Sequence, residues 1–258
     1  MTDTLTPLLA LSRNLGEPHH DYVILGEGNT SARIDADRFW VKASGVSLVG
    51  ITGDGFVQVD TSKILAFLDE DLSDTAIKDR LTAAVIAGSG RPSVETALHA
   101  LALTLGGARF VGHTHPTAVN AVLCSRQAEQ AVSGRLFPDE IVVCGPAPLF
   151  IPYIDPGLPL ARAVREGIER HIRQYGEPPR VILMQNHGLV ALGQTAEAVE
   201  QITAMMVKTA RILLGTYALG GPQFLSPEAV ARIHTRPDEH YRRGRLQSNT
   251  GSTRGNDE

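Results

Sequence analysis

Apolar residues recur along this chain with two spacings, and the two alternate from one end of it to the other. Alternation every second residue is typical of strands, whereas a repeat near 3.6 residues is typical of amphipathic helices. Residues 31–43 predict a hairpin with its polar turn at residues 35–37. Further strands are predicted at residues 55–60, 109–112, 140–144, 149–153 and 180–185. The interleaved pattern indicates an α/β fold.

Helices are predicted where a polar capping residue or a proline precedes an apolar stripe. The candidate N-caps are Thr61, Ser73, Thr195 and Ser226. Their hydroxyl groups can accept hydrogen bonds from the free N–H groups of a first helical turn. Pro92 and Ser93 open another predicted helix, and two more are expected at residues 4–15 and 158–174.

The organisation of the chain favours one domain. No linker and no internal repeat divides the sequence, so a single α/β domain is predicted over residues 1–241. Residues 242–258 are polar, contain glycine and serine, and begin with a short basic cluster. We expect this tail to be disordered, because it has too little apolar surface to bury on folding.

Composition and charge exclude several function classes. Hydrophobic residues make up 43% and charged residues 20%, which is ordinary for a globular protein. A net charge of −4 provides no basic field to hold nucleic acid. No apolar stretch reaches membrane-spanning length, and the N-terminus lacks the pattern of a signal peptide. Because the only cysteines are Cys124 and Cys144, we expect a reduced, cytoplasmic protein.

The strongest candidate for chemistry is a pair of histidines at the end of a predicted strand. His113 and His115 stand two residues apart in RFVGHTHP, and alternate residues of a strand point to the same side. His187 follows another apolar run, at residues 180–185. Three neutral imidazoles with one open position are the usual ligands of catalytic zinc. We expect the three to converge on Zn²⁺ or another divalent ion, although most histidines in proteins have no metal role.

Glu95 is the candidate general base. It is expected in the first turn of the helix opened by Ser93, where the helix dipole alone already favours a carboxylate. A purely structural role is therefore the alternative. Beside a metal ion, a carboxylate can take a proton from a group whose conjugate base the metal stabilises. His99 lies one turn further along the same face and is expected to pack beside the site without binding the metal.

Two polar turns are candidates for binding the polar end of a substrate. The residues concerned are Gly28, Asn29 and Ser31 in LGEGNTS and Lys42, Ser44 and Gly45 in KASG. Such turns offer backbone N–H groups and short polar side chains to an oxyanion or phosphate. Ordinary turns with an exposed lysine are the alternative. LGEGNTS is not a dinucleotide fingerprint, because the third glycine is missing and a hairpin follows it.

The ordered motifs GEGNTS, KASG, PSVE, GHTH and QNHG resemble those of the class II aldolase and adducin family. The similarity covers roughly residues 5–220. It implies a three-layer α/β/α fold around a largely antiparallel sheet, and a homotetramer with active sites between subunits. It also implies zinc ligands at His113, His115 and His187 and proton transfer by Glu95. Anchoring of a substrate phosphate or enediolate would fall to Gly28, Asn29, Ser31, Ser44, Gly45 and Ser93.

Departures from the family pattern concern the substrate. Val94 stands where the family carries the second serine of S-S-E, so one hydroxyl is lost from the expected phosphate cradle, and Lys42 offers a replacement charge. Residues 137–145 lack the tyrosine that some aldolases use as a general acid. The long helical stretch at residues 70–85 is more similar to the aldolase portion of bifunctional rhamnulose-phosphate aldolase/alcohol dehydrogenases.

The function expected from these motifs is that of a metal-dependent lyase. It would cleave a small ketose or ketose phosphate through a zinc-stabilised enediolate. The same metal centre would serve an epimerase, a sugar-acid decarboxylase or a dehydratase, and the motifs do not separate these reactions. A non-catalytic, adducin-like interaction domain is the alternative from another class, and the presence of all three histidines and Glu95 argues against it.

Overall fold

A computed structural model describes residues 4–236. Its centre is a sheet of eight strands in the order β4-β3-β2-β1-β5-β8-β7-β6. The strands are β1 Asn29–Arg33, β2 Arg38–Lys42, β3 Phe56–Asp60, β4 Val85–Ala87, β5 Phe110–Thr114, β6 Leu149–Ile151, β7 Val181–Met184 and β8 Gly188–Gly193. Only the β6–β7 pair among them is parallel. The predicted α/β fold with a largely antiparallel sheet is confirmed.

Helices cover the sheet and connect its strands. They are α1 Leu5–Leu15, α2 Thr61–Ala66, α3 Asp74–Ala83, α4 Thr96–Leu103, α5 Thr117–Leu123, α6 Ala128–Ala131, α7 Pro138–Cys144, α8 Leu158–Tyr175, α9 Ala196–Tyr217 and α10 Pro227–Thr235. Within residues 4–236, no helix has both the length and the apolar character needed to cross a membrane.

Two hydrophobic clusters lie on opposite faces of the sheet. Val111 and Val190 belong to one cluster, which includes the apolar residues of α4 and α8. Phe110 and Leu189, each one residue away, belong to the other, with residues of α1 and α9. Because successive strand residues point to opposite faces, the central strands β5 and β8, which are covered on both faces, are buried at every position. This burial on both faces produces the three layers.

Most predicted helix starts agree with the structure. The hydroxyl oxygens of Ser73, Thr195 and Ser226 accept hydrogen bonds from backbone N–H groups of the following turn, as N-caps do. The predicted N-cap Thr61 is wrong. The N-cap of α2 is Asp60, whose carboxylate accepts a hydrogen bond from the backbone N–H of Lys63.

The predicted strand at residues 140–144 is wrong, since this segment belongs to α7. Pro138 occupies the start of the helix, where its missing N–H has no intrahelical partner to lose. Glu140 is buried; it accepts from the backbone N–H of Leu136 and pairs with Arg135 at 2.7 Å. These contacts hold the segment as a helix, and they occupy the Glu140 carboxylate.

The structure bears on the predicted single domain only within residues 4–236. All eight strands join one sheet, from β1 to β8. The boundary at residue 241 stays a prediction. The predicted disordered tail, residues 242–258, lies outside the described residues.

Candidate metal centre and active site

Strand pairing brings the three predicted ligand histidines together. His113 is on β5, opposite Val190 of β8, and His115 follows one residue after β5 ends. His187 occupies the tight turn between β7 and β8, next to Gly188. Because β5 and β8 are adjacent and antiparallel, the end of β5 lies beside the start of β8. The separation of 72 residues between His115 and His187 is closed by this pairing.

The Nε2 atoms of the three imidazoles converge. Nε2 of His113 lies 3.0 Å from that of His115 and 3.2 Å from that of His187. All three ligand atoms lie within 4.8 Å of one another. Gly188 makes this approach possible, because a Cβ atom there would lie 2.6 Å from the Thr114 carbonyl and 2.7 Å from the His115 ring.

A backbone contact sets the orientation of the central imidazole. His113 is buried, and its Nδ1 lies 3.0 Å from the carbonyl oxygen of Leu189. A carbonyl only accepts, so Nδ1 carries the hydrogen and Nε2 presents its lone pair to the cluster. This is the arrangement in which protein histidines usually bind metals. The residues present therefore fit a divalent metal ion held by three Nε2 atoms.

Glu95 lies against the same cluster. Its Oε1 is 3.0 Å from Nε2 of His187 and 3.5 Å from Nε2 of His113, and its side chain is 11% exposed. The residue is the N-cap of α4, which starts at Thr96, and not a member of the first turn as the sequence predicted. Its backbone N–H donates to the hydroxyl of Ser93. The predicted metal ligands and the candidate base thus lie together.

The electrostatics of the cluster favour a positive charge at its centre. Burial raises the pKa of Glu95, but the adjacent His113 and His187 outweigh it and hold that pKa well below its usual range. Burial lowers the pKa of His113, yet Glu95 and the Leu189 carbonyl raise it overall. Burial and the neighbouring imidazoles lower the pKa of His115 to about 4. An ionised carboxylate beside clustered imidazoles is a setting that a divalent cation would complete.

The first polar turn contributes structure around Glu95. Asn29 starts β1 opposite His113, and its Nδ2 donates to Oε2 of Glu95 at 2.7 Å. Ser31 is fully buried, and its hydroxyl lies 2.6 Å from Nδ1 of His99. Gly28 has a φ of 66°, and a Cβ there would lie 2.7 Å from the His113 carbonyl oxygen. These contacts within the protein use the side chains of Asn29 and Ser31, and their substrate-binding roles stay predictions.

The second polar turn lies beside the segment that carries Glu95. The backbone N–H of Ser44 donates to the Arg91 carbonyl, and Ala43 forms a bridge with Pro92. Ser44 is exposed, and Gly45 has a φ of 78° with open space around it. The structure therefore brings Ser44 and Gly45 close to the strand-like residues that precede Ser93. Val94 is 39% exposed.

Lys42 is not the exposed lysine that the alternative interpretation of this turn required. The residue is 2% exposed, and its ammonium donates to the carbonyl oxygens of Gly26 and Val46. It thus links the two polar turns from inside the protein. A direct contact with substrate stays a prediction. In the structure, the ammonium holds the two turns together.

We predict that the stability of the protein relative to a Lys42→Met variant rises with pH. Burial, partly opposed by Glu95, lowers the pKa of Lys42 to about 8, against about 10.4 in unfolded chains. As pH rises from about 8 to 10.5, the Lys42 ammonium loses its proton in the folded state before it does in the unfolded state. The free-energy cost of burying the charge therefore disappears. Each pKa unit is worth about 1.4 kcal/mol, so the gain is at most about 3 kcal/mol.

Denaturant titrations of both proteins between pH 7 and pH 10.5 measure this difference. Lys78→Met, which removes an exposed lysine from α3, is the control and should show no comparable trend. A stability difference between wild type and Lys42→Met that stays constant with pH would contradict a buried, charged ammonium.

Two residues beside the cluster were missed by the sequence argument. Glu27 has its Oε1 3.7 Å from Nδ1 of His115, and its Oε2 accepts from the backbone N–H of Ile24. Asn120 donates from Nδ2 to the His187 carbonyl. Both line a cavity of about 440 Å³ that also contacts His115. The position of Glu27 inside GEGNTS was a usable signal, whereas nothing local marks Asn120.

Sequence comparison identifies a family. The family described as "Class II Aldolase and Adducin N-terminal domain" matches residues 7–214. The chain is also 28% identical over 195 residues to YuxG of Bacillus subtilis (strain 168), named as an uncharacterized oxidoreductase. That match covers 72% of this chain and 26% of YuxG, so the chain spans about a quarter of this relative's length.

Solved structures with the same fold include proteins named as class II aldolases. The N-terminal class II aldolase domain of a Thermoplasma acidophilum protein is 26% identical, with a TM-score of 0.65 over 83% of this chain and 95% of that one. L-fuculose 1-phosphate aldolase is 18% identical, with a TM-score of 0.68 over 91% and 95%. YgbL of Klebsiella pneumoniae, named for aldolase, epimerase or decarboxylase activity, is 17% identical, with a TM-score of 0.66 over 89% and 96%.

Proposed function

Since the chain belongs to the class II aldolase and adducin family, we propose that it is a zinc-dependent lyase that cleaves a small ketose or ketose phosphate. One observation carries the proposal: three Nε2 atoms converge within 4.8 Å, and the Glu95 carboxylate lies 3.0 Å from one of them. A non-catalytic interaction domain would have no use for an ionised carboxylate held against a histidine triad.

The three histidines and Glu95 would have different roles in this reaction. His113, His115 and His187 would hold the metal through Nε2 and leave a position open to substrate oxygens. When bound, the metal would polarise a carbonyl and stabilise the negative charge that develops on the substrate as the C–C bond breaks. Glu95 would accept a proton from the substrate and return it to the product, since its carboxylate is ionised and lies 3.0 Å from the triad.

The two polar turns would determine which polar group the substrate carries. Ser44, Gly45 and Ser93 would anchor it, together with backbone N–H groups of the Gly28–Asn29 turn. Val94 removes a hydroxyl from this set, and Lys42 donates to two backbone carbonyls, so the expected replacement charge is directed elsewhere. We still favour a phosphorylated substrate, because Ser44 and Ser93 remain and the Ser44–Arg91 contact keeps their segments together.

A cleavage panel of matched ketoses and ketose phosphates tests this function. We expect retro-aldol cleavage that needs added zinc, with kcat/KM higher for phosphorylated substrates. Val94→Ser should raise kcat/KM for phosphates by roughly 5- to 150-fold, the equivalent of about 1–3 kcal/mol for a supplied partner, and leave the free sugars unchanged. Equal cleavage of free and phosphorylated sugars, unchanged by Val94→Ser, would exclude the phosphate site. An absence of zinc-dependent cleavage for every substrate would exclude the lyase.

Epimerase, sugar-acid decarboxylase and dehydratase activities use the same geometry. Each needs stabilised negative charge beside a carbonyl and a carboxylate that moves a proton. The YgbL likeness extends to the fold alone, yet its name covers two of these reactions. The oxidoreductase name belongs to YuxG, of which the chain matches 26%. LGEGNTS leads into β1 and not into a helix, so no dinucleotide site is proposed.

The remaining proposals concern assembly and location. Ile24 and Leu25 are 61% and 84% exposed beside Glu27, and large apolar side chains at a site rim are suited to an interface. We propose a homotetramer with active sites near subunit contacts, acting in the cytoplasm on small-molecule substrates. Light scattering of the purified protein measures the assembly.

A further inference from the structure

His99 is a completely buried polar residue for which the proposed chemistry has no role. It is 0% exposed on α4, one helical turn after Glu95. Its Nδ1 lies 2.6 Å from the hydroxyl of Ser31, which is also 0% exposed. Its Nε2 contacts the side-chain oxygen of Asn29. Both partners are on β1, so the ring bridges the helix and the strand that flank Glu95.

The direction of each hydrogen bond follows from the chemistry of its partners. The ionised carboxylate of Glu95 only accepts, so the Asn29 atom that faces it at 2.7 Å must be the amide nitrogen. The Asn29 oxygen therefore faces His99 and accepts, and Nε2 of His99 carries the hydrogen. Nδ1 is then an acceptor, and the Ser31 hydroxyl donates to it. One chain of donors runs from Ser31 through His99 and Asn29 to Glu95.

This chain of donors ends at the candidate base. Glu95 Oε2 receives the Asn29 hydrogen bond, and this leaves Oε1 on the side of His113 and His187. If the Asn29 amide rotated by half a turn, its oxygen would face the carboxylate and its N–H groups would face the protonated Nε2 of His99. Both contacts would then be repulsive. A neutral His99 with hydrogen on Nε2 thus permits a single orientation of the amide.

We propose that His99 is a positioning residue, a neutral Nε2–H imidazole that fixes the Asn29 amide and thereby orients the Glu95 carboxylate toward the histidine triad. The consequence for catalysis rests on the proposed function, whereas the tautomer and the amide orientation do not. Neutrality has a separate support: burial, reinforced by His113, lowers the pKa of His99 to about 3.

A direct test is the protonation state of His99 in the full-length protein. Long-range ¹H–¹⁵N correlation spectra of ¹⁵N-histidine-labelled protein distinguish the two neutral tautomers and the imidazolium. The His99 signals are assigned by their loss in His99→Gln. We expect one Nε2–H tautomer, unchanged between pH 6 and pH 8. An Nδ1–H tautomer, or a charged ring in this range, would overturn the proposal whether or not any substrate is known.

A kinetic comparison tests the effect on Glu95. His99→Leu fills similar space without a donor, whereas His99→Gln keeps an N–H donor at similar reach. At equal metal content, we expect His99→Leu to lower kcat about 10- to 100-fold with KM nearly unchanged, which indicates an interaction realised in the transition state. The kcat of His99→Gln should be at least about fivefold higher than that of His99→Leu. Equal kcat values for the two variants would show packing alone and overturn the proposal.

Ser31→Ala provides a second route should His99→Leu fail to fold. Loss of the Ser31 donor should allow the Nδ1–H tautomer to appear in the spectrum and should lower kcat by about threefold to tenfold. Ser12→Ala is the matched control, because Ser12 is an equally buried serine whose hydroxyl bonds to Leu8 and Thr30, away from His99. A Ser31→Ala protein that keeps the wild-type tautomer and kcat would contradict the proposal. If cleavage fails for every variant but the tautomer is as expected, the lyase assignment fails and the positioning role stands.

Discussion

Replacing His115 by alanine is expected to abolish stoichiometric metal binding and, with it, catalysis, while the fold is kept. His115 lies just beyond the end of β5 and is only part-buried, so its truncation leaves the sheet pairing of β5 with β1 and β8 in place. Its Nε2 is 3.0 Å from that of His113, so it forms one side of the triad. Loss of residues that merely orient ligands costs about 10- to 100-fold in metal affinity, and loss of a ligand should exceed this.

Elemental analysis of purified protein, followed by zinc titration against a competing chelator, measures this effect. We expect about one metal ion per wild-type chain, in agreement with the one histidine triad found within residues 4–236. His19→Ala is the matched control, since the His19 side chain is 72% exposed and outside the triad. Equal metal content in wild type and His115→Ala would show that these histidines do not form the site.

Changing Glu95 to glutamine is expected to leave metal and fold intact and to remove most of the turnover. The amide has nearly the shape of the carboxylate, and its oxygen can still accept from Asn29. It cannot take a proton near neutral pH, however, and general acid–base help is typically worth about 10²- to 10⁴-fold. We therefore expect kcat to fall by about that factor, with a smaller change in KM.

Steady-state kinetics on a substrate from the cleavage panel, with metal content determined for each protein, measure the effect of Glu95→Gln. Glu166→Gln, an exposed change on α8, is the control and should keep wild-type kcat. Wild-type turnover by a metal-loaded Glu95→Gln protein would remove Glu95 from the proton-transfer role. If both metal and turnover were lost, the residue would act chiefly by holding the cluster together.

Some elements were predictable because their signals are local. Ser73, Thr195 and Ser226 each accept from a backbone N–H three residues on, so the cap and its partner lie in one short segment. The same holds for His113 and His115, whose common side follows from strand geometry. The strand predicted at residues 140–144 failed because an apolar run has no unique period. Pro138 and Glu140, which lie in the first turn of α7, are typical of a helix start and predict the helix better than the apolar run predicts a strand.

The environment of Lys42 shows a different limit. Its place at the end of an apolar strand was plain, and an exposed lysine was a reasonable expectation beside a polar turn. Its burial depends on the carbonyl oxygens of Gly26 and Val46, which reach the ammonium only once both turns have folded together. A charge can be buried when such acceptors surround it, and composition or spacing does not show where they will be.

By itself, the sequence determined the kinds of side chain available and their place in the predicted elements: three imidazoles after apolar strands, one carboxylate in the first turn of a helix, and two polar turns. Tertiary structure decided which of them touch. His187 meets His113 because β8 pairs with β5, and Asn29 lies beside His113 because β1 pairs with β5 on its other side. Asn29 meets Glu95 and His99 because α4 packs against β1. Pairing between strands far apart in the chain depends on burying both sheet faces at once. Since local periodicity carries no record of the partner strand, only the assembled sheet shows this network.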